Sequence, residues 1–105
     1  LTDQTQHTIL LIQKTKNPSS RLFTDHSTVN DAMDSILKHY ETKLKELNPH
    51  LVKISYEVND LYSFIDKYHD ICALVFNPKI SAYLPKDRQW IKDELYRHLL
   101  TGASK

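Results

Sequence analysis

The stretch that most constrains this chain is His7–Gln13, read His7-Thr8-Ile9-Leu10-Leu11-Ile12-Gln13. It is short, uncharged at its centre, and apolar at four successive positions. A strand sends alternate side chains to opposite faces, so Ile9 and Leu11 share one face and Leu10 and Ile12 the other. Both faces therefore favour leaving water. A small sheet with helices on one side hides only one of them. The second face calls for a cover that this chain has few elements to supply, which points to a partner subunit. The alternation alone leaves open which pair faces which way.

The 105 residues fit one domain and hardly two. A chain of this size buries roughly two-thirds of its unfolded surface, enough for one core without staples. The single glycine disfavours loop-rich folds and glycine-lined phosphate cradles. Lys and Arg number 14 against 13 Asp and Glu, so the basic excess expected of a dedicated nucleic-acid binder is absent from the total. One cysteine, Cys72, forms no intrachain disulfide; inside the run Ile71–Phe76 it reads as a small buried hydrophobe. It is compatible with a reducing compartment. No signal-peptide pattern is evident, and no apolar run approaches the ~20 residues that span a bilayer. Residues 1–6 are expected to be a flexible segment, 7–101 one domain, and 102–105 a frayed end.

Taken in order, Asn17-Pro18-Ser19-Ser20 is turn chemistry. Arg21–Thr24 follows as a short strand hairpinned onto the first. Thr28 is a good helix N-cap, with Asp31 three residues on. Val29, Ala32, Met33, Ile36, Leu37, Tyr40, Leu44 and Leu47 form one helical stripe. Asn48-Pro49 ends it. Lys53–Val58 alternates strictly and predicts a strand with Ile54, Tyr56 and Val58 inward. Asn59 is then expected to cap a second helix with Leu61, Phe64, Ile65 and Tyr68 buried. Ile71–Phe76 and Ile80–Leu84 read as a hairpin of strands, ended by Pro85. Asp87 caps a third helix with Trp90, Ile91, Leu95 and Leu99 on its stripe, and Gly102 suits the position past its end. The fold class is α+β: a mainly antiparallel sheet of four strands, five if Arg21–Thr24 counts, with three amphipathic helices on one face.

Site chemistry is sparse. No two of His7, His26, His39, His50, His69 and His98 sit three or four apart, and there is no cysteine pair, so no metal site is expected. Asp66 and Asp70 lie four apart, which on the second helix would put both on one face, with Lys67 and His69 close by; ordinary solvation explains them better than acid–base work. His69-Asp70 beside Cys72 is no nucleophile set, because sequence neighbours on a helix end do not face each other. There is no phosphate loop, nucleophile elbow or dinucleotide fingerprint. The expectation is a non-enzyme without cofactors. Ten aromatic residues remain as a signal. Tyr40 and Tyr56 suit the core; Tyr62, off its helix stripe, and Tyr96, beside its own, are candidates for a partner surface.

Three segments together resemble one family. His7–Gln13 looks like the N-terminal strand of the enhancer of rudimentary homolog family. Ile54-Ser55-Tyr56-Glu57-Val58-Asn59-Asp60-Leu61-Tyr62-Ser63-Phe64-Ile65-Asp66 is similar to its most characteristic segment. Leu74-Val75-Phe76, then Tyr83, Pro85 and Gln89-Trp90-Ile91-Lys92, is similar to its C-terminal hairpin and helix. The resemblance runs from about His7 to Leu100. It implies a nuclear protein, present also in the cytoplasm on a broader reading, that pairs as a homodimer through the open faces of two sheets. It implies an adaptor that binds short segments of RNA-processing or gene-regulatory proteins, in mRNA elimination and splicing, small-RNA biogenesis, transcription or cell-cycle control. Ile9 and Leu11 match the strand positions that face the partner subunit. Thr28 matches a position proposed as an acidophilic-kinase target, although its plain reading is the helix N-cap. Leu22 stands where the family has a second such threonine, and Asn77–Ser81 departs from the animal-type pattern. The competing reading is a direct single-stranded RNA-binding module on the sheet, which would need aromatic platforms interleaved with basic residues. An enzyme of pyrimidine metabolism, suggested by the family's naming history alone, has no residue set here to support it.

Overall fold

A computed structural model describes residues 6–50, 52 and 56–100. The first strand, β1 (Thr8–Gln13), lies in the interior of a four-stranded antiparallel sheet. Its neighbours are β2 (Arg21–His26) on one side and β3 (Asp70–Asn77) on the other, and β4 (Ala82–Lys86) pairs with β3 at the far edge. The register sets Leu11 between Phe23 and Cys72, and Ile9 between Asp25 and Leu74. Helices α1 (Val29–Leu47), α2 (Val58–Asp66) and α3 (Arg88–Leu100) complete the fold.

The hairpin between β1 and β2 is made by side chains rather than by glycine. Asn17 Oδ1 accepts from the Ser19 N–H at 2.9 Å, and the Ser20 hydroxyl donates to the Asn17 carbonyl at 2.7 Å. The expected strand Arg21–Thr24 is thus real and two residues longer. Helix α1 starts as read: the Thr28 hydroxyl oxygen accepts from the Asp31 N–H at 3.0 Å. Its stripe from Val29 to Tyr40 is buried against the sheet. Leu44 still packs against the core, whereas Leu47 is 76% exposed, so among the described residues the stripe ends one turn before the helix does.

Several expectations are corrected. Of the alternating segment Lys53–Val58, residues 53–55 lie outside the described residues. Tyr56 and Glu57 belong to no strand, and Val58 begins α2. The cap of α2 is Glu57, not Asn59: the Asp60 carboxylate accepts from the Glu57 N–H at 3.1 Å in a reciprocal capping box. Tyr56 alternates for a different reason. Its ring meets Tyr40 edge-on at 4.9 Å and its hydroxyl donates to Glu41 at 3.0 Å. Desolvation first, then that Glu41 contact, pushes its phenol up to about 12. Asp66 ends α2 and Asp70 begins β3, so the two carboxylates share no helix face; Asp66 holds Lys92 at 2.7 Å instead.

Pro85 does not end the last strand. It sits inside β4 opposite Leu74, where the lack of an N–H is tolerated because the strand is an edge. The turn before it starts at Asn77, whose side chain accepts from the Lys79 N–H at 3.0 Å. Ser81 there holds φ of 52°, a left-handed conformation that favours glycine. Helix α3 is capped by Asp87, whose carboxylate accepts from the Trp90 N–H at 2.9 Å. Ile91 and Leu95 are fully buried, and so, against the apolar stripe, are Glu94 and His98. Glu94 meets Arg97 at 3.2 Å, and His98 approaches Asp34 of α1 at 3.8 Å. Gly102 lies outside the described residues.

One continuous core results, with Leu10, Ile71, Ala73 and Val75 on the sheet packed under Met33, Leu37, Leu61, Ile65, Ile91 and Leu95 of the helices. In urea titrations, Thr28→Ala should lose about 1 kcal/mol, the usual worth of a side-chain N-cap. Ser81→Gly should gain up to about 1 kcal/mol by relieving the left-handed serine.

Candidate functional site

Every helix packs on the side of Leu10, so among the described residues the other side of the sheet is left open. Strand alternation and register decide what lies there. From β1 come Ile9 and Leu11, from β2 Phe23, from β3 Cys72, Leu74 and Phe76, and from β4 Tyr83 and Pro85. Ile9, Leu11, Cys72 and Leu74 are half-buried by their neighbours alone, whereas Phe23 is 71% exposed and Tyr83 40%. The Phe76 and Tyr83 rings meet edge-on at 5.2 Å, as a cross-strand aromatic pair does. Isolated exposed apolar residues mean little, but a patch crossing four strands marks an interaction surface.

Charge sits only at the margins of this patch. Gln13 and Arg21 close one end, the guanidinium donating from Nε to Gln13 Oε1 at 2.8 Å. At the other end His7 joins three elements. Its Nδ1 hydrogen-bonds the Tyr83 hydroxyl at 2.6 Å, its Nε2 pairs with Asp25, and its backbone carbonyl accepts from the Phe76 N–H at 2.9 Å. The ring therefore ties β2 to β4 across the two interior strands. His7, Asp25 and Tyr83 are far apart in sequence, and only the register of β1 with both neighbours could have joined them. Burial pushes the Cys72 thiol above the usual range, and Asp70 two residues away adds to the shift.

The remaining predicted residues lie elsewhere. Thr28 spends its hydroxyl oxygen on the cap of α1. Tyr62 and Tyr96 come together on the helix layer, on α2 and α3, away from Ile9 and Leu11. Lys92 Nζ stands 5.5 Å from the Tyr62 ring centre, and burial, then Asp93 and Tyr96, raises that phenol. Tyr96 is 47% exposed. The geometry makes these two a neighbouring pair but does not connect them to the open sheet.

Known proteins resemble this chain in sequence along nearly its whole length. The sequence model described as Enhancer of rudimentary matches residues 4–105. The chain belongs to the enhancer of rudimentary family. It is 50% identical over 97 residues to the Enhancer of rudimentary homolog of Arabidopsis thaliana, covering 92% of this chain and 89% of that protein. The Dictyostelium discoideum homolog is 41% identical over 93 residues, with 89% and 93% covered. Protein enhancer of rudimentary of Drosophila virilis is 39% identical over 97 residues, with 92% and 93% covered. The likeness thus spans the four strands and three helices together, including both ends of the open face.

The single cysteine of this family member reports on that face directly. Iodoacetamide should alkylate Cys72 slowly at pH 7, with the rate rising about tenfold per pH unit towards pH 9, because only the thiolate reacts; a cover over this face lowers the rate at every pH and leaves that slope in place. Mass spectrometry of quenched time points checks this; fast labelling at pH 7 would contradict the raised thiol.

Proposed function

We propose that this protein is a non-enzymatic homodimeric adaptor whose two copies cover each other's open sheet faces. The observation that carries the reading is the apolar patch of Ile9, Leu11, Phe23, Leu74 and Phe76, on the side of the sheet that no helix covers. A monomer would keep Phe23 and its neighbours in water. A second copy removes the same surface from water twice, and a two-fold pairing closes on itself. The polar rim of Arg21, Asp25 and His7 around an apolar centre has the anatomy of a protein–protein interface.

In this reading the dimer offers the same helix-side surface twice. Short segments of nuclear RNA-processing or gene-regulatory proteins dock there, as the family resemblance implies, in mRNA elimination, splicing, small-RNA biogenesis, transcription or cell-cycle control. Two equivalent sites on one rigid body favour partners that are themselves paired. Nuclear residence, with a cytoplasmic share, belongs to the same proposal. No cofactor is required for binding of this kind.

A second reading, single-stranded RNA on the open sheet, draws on the exposed rings of Phe23 and Tyr83. The charge on that face speaks against it: Asp25 and Asp70 share it with Arg21, and phosphates would meet more carboxylate than guanidinium.

Leu11→Arg tests the pairing. It sets a guanidinium between Phe23 and Cys72 at the centre of the patch, where a covering copy would leave it buried and unpaired. Sedimentation should give twice the 12.3 kDa chain mass for the wild type and a single chain for the variant, with the helical circular dichroism retained. A variant that sediments as a stable dimer would refute the placement.

A further inference from the structure

The helix layer does not cover the sheet evenly. α1 lies along the helix-side face of β2 without filling the space against it, and a channel of about 260 Å³ opens between the two. Leu22 and Thr24 form one wall and Ser35 and His39 the other, with Ile12 and Ile71 in the floor. Leu22 is 42% exposed beside it. The channel continues past Lys14, His39 and Tyr68 into a second hollow of about 170 Å³ bordered by Lys43, Phe64 and Lys67. One end is therefore apolar. The other gathers three lysines, and no carboxylate lines either hollow among the described residues; Glu46, outside both hollows, stands 3.9 Å from Lys43, whereas Lys14 and Lys67 have no ion pair among the described residues. The field of Lys14 and Lys43 reaches His39, whose imidazole is held below its ordinary range first by burial and then by those two cations, with Glu46 opposing them.

The wall made by β2 is a sheet edge. β4, the opposite edge, carries Pro85, which blunts it against strand addition; β2 has no proline among its six residues. An extended chain laid along β2 would find backbone donors and acceptors on the strand and an apolar trough beside it.

We propose that this channel binds an extended segment of a partner protein in which apolar side chains are followed, a few residues on, by a cluster of carboxylates. The inference deepens the adaptor reading and rests on it. The apolar side chains fill the trough beside Leu22 and Ile12. The carboxylates meet Lys14, Lys43 and Lys67. RNA would also be drawn to three lysines, but the aromatic residues there are engaged with one another. Phe64 meets Tyr40 at 4.8 Å and Tyr68 at 5.4 Å, and Tyr68 is buried, so these faces are closed to stacking bases.

The test uses the full chain and a fluorescein-labelled decapeptide with two leucines in its first half and three glutamates in its second. Anisotropy should report saturable binding that weakens as salt rises. The triple variant Lys14→Glu, Lys43→Glu, Lys67→Glu should bind at least tenfold more weakly, and Leu22→Glu should lose binding while leaving the lysines in place. A peptide with lysines in place of the glutamates should not bind. The proposal is overturned if the lysine peptide binds equally, if the triple variant retains full affinity, if the glutamate peptide fails to bind, or if a ten-nucleotide oligouridylate binds the wild type as tightly. Sedimentation of the same samples separates this from the pairing of sheets: a wild type that dimerises yet ignores the peptide removes the channel proposal alone.

Discussion

The structure depends on the two-sidedness of β1. Leu10 is 1% exposed at the base of the core, while Ile9 and Leu11 on either side of it point away from every helix. β1 is interior to the sheet, so no rotation of the strand could relieve one face without exposing the other. A one-residue slip of register would only exchange the two sets, since both are apolar. The polar ends resolve that ambiguity. Thr8 is buried with its hydroxyl donating to the Gln6 carbonyl, and Gln13 reaches Arg21 on the open side. With these ends fixed, Leu10 and Ile12 are committed to the helices.

His7 performs a related task at the margin of the open face. By holding Asp25 and Tyr83 through its two ring nitrogens it links both edge strands to the head of β1. A four-stranded sheet uncovered on one side has little else on that side to fix its twist. The same cluster supplies a polar rim beside the apolar patch, so one residue serves both the order of the sheet and the character of its surface.

What could be read from the residues follows a physical division. β1, α1 and α3 were legible because hydrophobic period and local caps agree: Thr28 and Asp87 do what their side chains permit anywhere. From Tyr56 to Val58 the alternation misleads, because it records which side chains are buried, not which backbone they hang from. Tyr56 is held by Tyr40 and Glu41 across α1, and Glu57 with Asp60 already begins a helix. Pro85 reads as a strand end in the sequence, because only the strand order shows that its missing N–H faces no neighbour. Buried Glu94 and His98 had no periodic signal, since the pattern of apolar residues is blind to polar groups that meet charged ones inside. The pairing of Ile9 with Leu11 was visible at once; their orientation, and the meeting of His7 with Asp25 and Tyr83, required the register.

The open face and the channel are consequences of one shortage. Three helices of 19, 9 and 13 residues share one face of the sheet, and α1 lies along the edge strand β2 without filling the space against it. The uncovered side of the sheet is broad, nearly symmetric in composition, and bordered by mixed charge, which suits a second copy of itself. The uncovered flank of β2 is narrow and graded from apolar to cationic, which suits a chain that is apolar at one end and acidic at the other. A larger domain would cover both with further elements. Among the described residues neither is covered, and both stand as the surfaces on which the proposed adaptor reading rests.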